Sequence, residues 1–255
     1  MRKLDLHIQL HQVRNLFLPQ PQKVLFEHVP KCGGTTVIDY LISQYTDHRI
    51  FRIDGGNPPK SIDLFMSLPE KKRHRYNLVY GHGANRLRQY VDPKSLSATI
   101  IRNPVDRIIS HYYYVCRTPK HYLYDKVKGR NMSLIDYATS SLSGELRNNY
   151  VCRFLQITAE EAETKPEESI KNAYHILRDE YSVVGILENL NSVMDLLASK
   201  ASFHDEYKNK KLNVTIDRPK QLDVGQSTLD AIKEVNHLDV KLFELVKNNL
   251  AKNLS

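Results

Sequence analysis

The sequence predicts an α/β protein, a single domain in which a central parallel sheet is flanked by helices. Two features carry that prediction. Four short runs rich in apolar residues, at 24–29, 77–80, 98–101 and 182–187, read as strands, and the last is of the continuously apolar kind that strands buried on both faces show. Stretches with apolar residues at helical spacing separate them, and helices alternating with such strands imply a sheet covered on both sides. The 255 residues, 41% hydrophobic and 26% charged, are enough for one large domain with a proper core.

Residues 1–22 read as a leader ending at Pro19 and Pro21, which places the domain at 23–255. The first strand, Val24-Leu25-Phe26, closes at His28-Val29 before Pro30. Lys31-Cys32-Gly33-Gly34-Thr35-Thr36 follows, and Val37, Ile38, Leu41, Ile42 and Tyr45 then recur on one helical face. Phe51 to Pro59 is dense in turn formers and reads as a loop, with a short helix from Ser61 to Met66 beyond it. Lys71 to Arg75 is a basic run that reads as a solvated turn before the second strand, which ends at Gly81-His82-Gly83. The third strand ends at Arg102-Asn103, with Asn103 placed to cap a helix that Pro104 starts. Val105, Ile108, Ile109, Tyr112, Tyr113 and Cys116 give that helix an apolar face, and His111 falls on its surface. Residues 117–135 read as loop, 136–156 as mostly helical, and Pro166 to Asp179 as helix. After the fourth strand come a helix over 190–198, a basic loop from Tyr207 to Pro219, and one long helix over 227–249 with Val235, Leu238, Leu242 and Leu245 facing the core.

The 37 Lys+Arg against 29 Asp+Glu give a net charge of +8, which suits an anionic partner: nucleic acid, anionic polysaccharide or a polyphosphate-bearing cofactor. A solvated basic surface is the plain alternative. Cys32, Cys116 and Cys152 are odd in number and lack CxxC spacing, so neither a disulfide framework nor a zinc site is indicated. Cys32 reads as a small filler of its loop, with a reactive thiol as the alternative. No His/Asp/Glu cluster has metal-ligand spacing, and no metal is expected. No run approaches the roughly 18 apolar residues of a membrane span. The N-terminus lacks a signal-peptide core. The sequence as given therefore reads as cytoplasmic, or as a lumenal catalytic domain lacking its anchor.

A strand, a glycine turn and a helix together aim backbone N–H groups and a helix N-terminus at an anion. Lys31 adds a mobile positive charge there, and Thr35 and Thr36 add hydroxyl donors. The order is not the Walker one, in which glycine precedes the lysine and Ser/Thr follows it directly. In open parallel sheets ligands sit beyond the carboxyl ends of the strands, and those ends carry Lys31 with its glycines, His82, and Arg102. The helix start at Arg102-Asn103-Pro104, with Ser110 two turns along, offers a second anion site. Two anion sites suit a nucleotide with phosphates on both sides of its ribose, and an imidazole suits removal of a proton from a hydroxyl nucleophile.

HVPKCGGTTV resembles the 5′-phosphosulfate loop of the sulfotransferases that act on polysaccharides, and IIRNPVDRIISHYYYV resembles their 3′-phosphate motif, of the form R-D/N-P-x-x-R-x-x-S-x-Y-Y. The likeness is greatest to the uronosyl 2-O-sulfotransferases of heparan and dermatan/chondroitin sulfate. It continues through AYHILRDEYSVVGILENLNSVMDLL and the NVT-containing loop, covering Lys23 to Leu250. The resemblance implies the P-loop-like sulfotransferase fold and a glycan O-sulfotransferase that uses 3′-phosphoadenosine 5′-phosphosulfate (PAPS), with PAP as product and no metal. Carried over by position, Lys31 meets the phosphosulfate, Cys32, Gly33, Gly34, Thr35 and Thr36 line the 5′-phosphate, Arg102 and Ser110 hold the 3′-phosphate, and His82 is the base. Tyr80, Lys210, Lys211, Asn213 and Arg218 are candidate acceptor contacts, the last four shared with nucleotide contact. Tyr80 stands where the heparan-type enzymes have a second histidine, which leaves the uronosyl acceptor open. The competing readings are a non-catalytic binder of anionic polysaccharide or nucleic acid, and a P-loop kinase, which the missing GK[ST] disfavours.

Overall fold

The structure is a computed structural model and describes residues 11, 14–208 and 223–253. In chain order it runs β1 (Val24–Glu27), α1 (Gly34–Gln44), β2 (Ile50–Arg52), α2 (Pro58–Ser67), the single turn α3 (Glu70–Arg73), β3 (Leu78–Gly81), β4 (Leu96–Ile101) and α4 (Pro104–Arg117). Then follow α5 (Tyr124–Lys128), α6 (Leu134–Thr139), α7 (Asn149–Leu155), α8 (Ala159–Thr164), α9 (Pro166–Glu180), β5 (Val183–Ile186), α10 (Leu190–Ala201), α11 (Gln226–Val235) and α12 (His237–Asn253).

The strands form one five-stranded parallel sheet in the order β2-β3-β1-β4-β5. β1 is central, and its register is level with both neighbours: Glu27 lies opposite Gly81 of β3 and Thr99 of β4. The order also reverses there. The chain leaves β1 toward β2 on one side, whereas it leaves β4 toward β5 on the other. Such a switch point is where open α/β sheets bind ligands, outside the carboxyl ends of the strands.

β2 corrects the reading of Phe51 onward as loop. It is a three-residue edge strand pairing only with β3, so its backbone needs one partner and its sequence carries almost no period. Phe51 holds it in place by packing edge-on against Phe65 and Tyr76, with centroids at 4.8 and 5.3 Å.

The described residues divide into two compact units. The first comprises 11, 14–29, 33–100 and 179–208. One side of its sheet buries Leu25, Ile53, Ile62, Phe65, Val79 and Leu87. Residues 14–22 are tied to it: the Arg14 guanidinium makes two bonds to the Asp205 carboxylate, at 2.8 and 2.6 Å, and Asn15 Nδ2 donates to the Ser43 carbonyl.

The second unit comprises 30–32, 101–178 and 223–253. Its core gathers Val105, Ile108 and Ile109 of α4 with Val127, Tyr137, Leu146 and Ile232. Three expectations are corrected here. Residues 117–135 contain α5 and the start of α6, whose Ser133/Asp136 capping box supplies the helix start. The closing helix is two helices, broken at the fully buried Asn236, whose amide donates to the Leu146 carbonyl and whose oxygen accepts from Asn148 N–H. The break shifts the phase of α12, so Phe243 and Val246 are buried and Leu245 is exposed. His111 is not on the surface of α4. It is buried, with Nδ1 2.6 Å from the Tyr137 hydroxyl and Nε2 3.4 Å from the Glu145 carboxylate, and burial pushes its pKa down to about 3.

Candidate active site

At the carboxyl end of β1 the polar pair Glu27-His28 follows three apolar residues, and both side chains serve the loop after β3. Glu27 is buried, and its carboxylate accepts from the N–H groups of Gly83 and Asn85 at 3.1 and 2.8 Å. That fixes the backbone immediately past His82. His82 itself is half-buried, with Nδ1 2.6 Å from the His28 carbonyl. A carbonyl only accepts, so in the neutral ring Nδ1 carries the proton and Nε2 keeps the lone pair. The two imidazoles stack with centroids 4.4 Å apart and planes 22° from parallel. His82 is thus held in one tautomer and one orientation.

His28 also abuts the glycine turn. A Cβ added to Gly34 would fall 1.9 Å from His28 Nε2, so the residue there has to be glycine for the ring to lie where it does. Gly33, the N-cap of α1, has φ 77° and contributes no side-chain cap. At this end the Thr36 and Val37 N–H groups donate to the Gly33 carbonyl, at 3.2 and 3.5 Å. Thr35 is exposed, Thr36 half-buried.

In the second unit, Lys31 has φ 65°, an uncommon conformation for a residue with a Cβ and one that collects at functional sites. Its ammonium lies 3.8 Å from the centre of the Tyr114 ring, a cation–π contact that holds the charge in place. Cys32 is buried beside it, and burial pushes the thiol up to about 11, so it is a filler and not a nucleophile at neutral pH.

Arg102 follows β4, and Asn103 caps α4 as its type predicts: its side-chain oxygen accepts from Val105 and Asp106 N–H at 3.0 and 3.4 Å. Ser110 is buried on α4. The backbone of Arg102 is gripped by the Tyr150 hydroxyl, which donates to its carbonyl at 2.7 Å and accepts from its N–H at 3.2 Å. Tyr80 is buried within β3, and burial raises its hydroxyl pKa. Lys210, Lys211, Asn213 and Arg218 lie outside the described residues. Glu27, His28 and Tyr150 escaped the sequence reading. A charged residue inside a buried strand run was a usable signal for Glu27, whereas nothing local marks Tyr150.

Among the described residues, no group of three or more His, Cys, Asp or Glu is placed to hold a metal ion, and no helix is long and apolar enough to cross a membrane. A glycine turn between the central strand of an open parallel sheet and a helix N-terminus is an arrangement that suits an anion, on an α/β protein. The model of the sulfotransferase family matches residues 14–245, and the chain belongs to that family of enzymes. No curated protein matches the chain.

Proposed function

We propose that the protein transfers the sulfuryl group of PAPS to a carbohydrate hydroxyl, with an anionic glycan as acceptor and a uronic-acid 2-hydroxyl as one candidate position. The observation that carries the reading is the restraint on His82: Nδ1 is committed to the His28 carbonyl, which leaves Nε2 as a base. The residues of the cradle fit the donor, because every group they offer is a cation or an N–H or O–H donor. The 5′-phosphate would be held by the backbone of 32–34 and the threonines Thr35 and Thr36, the 3′-phosphate by Arg102 and Ser110. Bound there, the donor supplies an activated sulfuryl group whose departing oxygen belongs to a phosphate.

His82 Nε2 removes the proton from the acceptor hydroxyl as its oxygen attacks sulfur. Lys31 neutralises the charge that grows on the departing oxygen. Transfer of this kind is in-line with a loose transition state, so positioning and charge stabilisation supply most of the rate. A general base contributes on the order of a hundred- to ten-thousand-fold.

The test is incubation with labelled donor and a panel of desulfated polysaccharides, followed by mapping of the modified position. His82→Gln is expected to abolish most turnover while leaving PAP binding intact. Normal turnover in a folded His82→Gln sinks the base assignment. Stabilisation by ATP with magnesium but not by PAP would make the protein a kinase, and donor or glycan binding without transfer would make it a binder.

A further inference from the structure

We propose that Tyr150 is a positioning residue for the donor: one buried hydroxyl that fixes the Arg102 backbone against the Cys32 side chain, one residue from Lys31. The proposal rests on the donor reading above. Three observations carry it, all within the second unit. The hydroxyl gives its single proton to the Arg102 carbonyl and receives the Arg102 N–H, so both polar groups of that peptide end on the same oxygen. The same oxygen lies 3.6 Å from Cys32 Sγ, one residue from Lys31. Tyr150 is itself fully buried and cannot drift, because the buried Asp239 carboxylate of α12 accepts from Tyr150 N–H at 2.9 Å and from Val151 N–H at 3.0 Å.

The chemistry explains why such a brace matters. A nucleotide carrying one phosphate on each side of its ribose has a fixed span between its anionic ends. Groups that grip both ends gain affinity when their separation is set before binding, since the ordering cost is then already met. Lys31 and Arg102 sit on long, flexible side chains, so the spacing has to be set in the backbone that bears them. The phenol ring supplies a rigid strut of the right kind, with two torsions and one polar end. Tyr150 touches no reacting atom. It acts through Arg102 and Lys31.

Tyr150→Phe deletes the oxygen and keeps the ring. Tyr137→Phe is the matched control, since Tyr137 is buried in the same unit and its hydroxyl bonds to His111 rather than to Arg102 or Cys32. Tyr150→Phe is expected to weaken PAP binding by calorimetry and to raise the donor KM, each by about ten- to thirtyfold, the effect of unpairing the Arg102 N–H and carbonyl in a part-buried setting. The expected kcat and acceptor KM stay within about twofold. Tyr137→Phe is expected to lower the melting temperature with the donor KM unmoved. A merely structural Tyr150 would behave like Tyr137, and that result overturns the proposal. If wild-type protein fails to bind PAP, the donor reading itself falls, and the positioning role with it. Should Tyr150→Phe not fold, hydrogen exchange on the unmodified protein decides: the Arg102 amide is expected to be strongly protected before PAP is added, and fast exchange there refutes the brace.

Discussion

Gly34→Ala tests the link between the glycine turn and the base. The methyl would fall 1.9, 2.0 and 2.8 Å from three ring atoms of His28. Ordinary carbon contacts lie near 3.5 Å, so the ring has to move by about 1.5 Å. It cannot do so and keep its 4.4 Å stack on His82. Overpacking of this kind costs about 1–3 kcal/mol, which for a chain of this size lowers the melting temperature by roughly 2–10 °C. The rate should suffer more than the stability, because misplacement of a catalytic group by about 1 Å costs on the order of a hundredfold. Thermal melts and kcat/KM on Gly34→Ala, His28→Ala and the double variant give a complete cycle. In the double variant the methyl has room, so the destabilisations should fall short of additive by about 1–3 kcal/mol. Additive losses, or a Gly34→Ala protein with unchanged melting and rate, would show that His28 does not occupy the space and would remove the argument for a coupled turn and base.

Glu27→Ala should lower stability by about 1–3 kcal/mol through the two N–H groups it strands, and lower kcat with it as the His82 loop loosens; a variant with intact kcat would separate the loop from the base. Cys32 should resist iodoacetamide in the folded protein at pH 8, since its thiol is pushed up to about 11, and rapid labelling that is independent of unfolding would contradict its burial. His111 and Asp239 set opposing pH dependences of stability. His111 is depressed to about 3 from 6.5, so its contribution is complete above pH 6.5 and is lost as pH falls toward 3. Asp239, raised by burial from 3.8 to about 6, contributes below pH 3.8, and that contribution is lost as pH rises through 6. Denaturant melts from pH 4 to 7 should therefore show stability falling with rising pH in His111→Gln, where the two dependences largely offset in the parent, and an unchanged profile would refute the assignment to His111.

The sequence made the sheet visible where a strand is buried on both faces, because such strands are short runs dominated by apolar residues, with few interruptions such as Glu27 and Thr99. β2 escaped because an edge strand of three residues has no run to show, and the Gly-Gly-Asn-Pro-Pro that follows speaks for turn. Lys31, the glycines, His82 and Arg102 stood out as candidates because each lies at or just past the end of a strand, within two residues of a glycine or proline. The parts that hold them were not. Asp239 looks like any acid in a polar helix start, and only the fold brings it to the N–H of Tyr150, 89 residues earlier. His111 shows the same limit in reverse. Its place off the apolar face of α4 suggests the surface, yet the Tyr137 hydroxyl and the Glu145 carboxylate hold it inside.

The order in which these parts leave the ribosome has a consequence. Pro30–Cys32 belong to a unit otherwise made of residues beyond 100, so the lysine of the cradle is translated early but seated late. Tyr114 meets its ammonium, Tyr150 meets Cys32, and Asp239 meets Tyr150. A nascent chain that stops before α12 carries every residue of the proposed transfer chemistry among those described, and lacks the anchor of the brace between Cys32 and Arg102. Lys31 is among the first residues made and among the last to be held still, so truncation before α12 should lower activity although it removes none of the residues proposed to bind donor or acceptor.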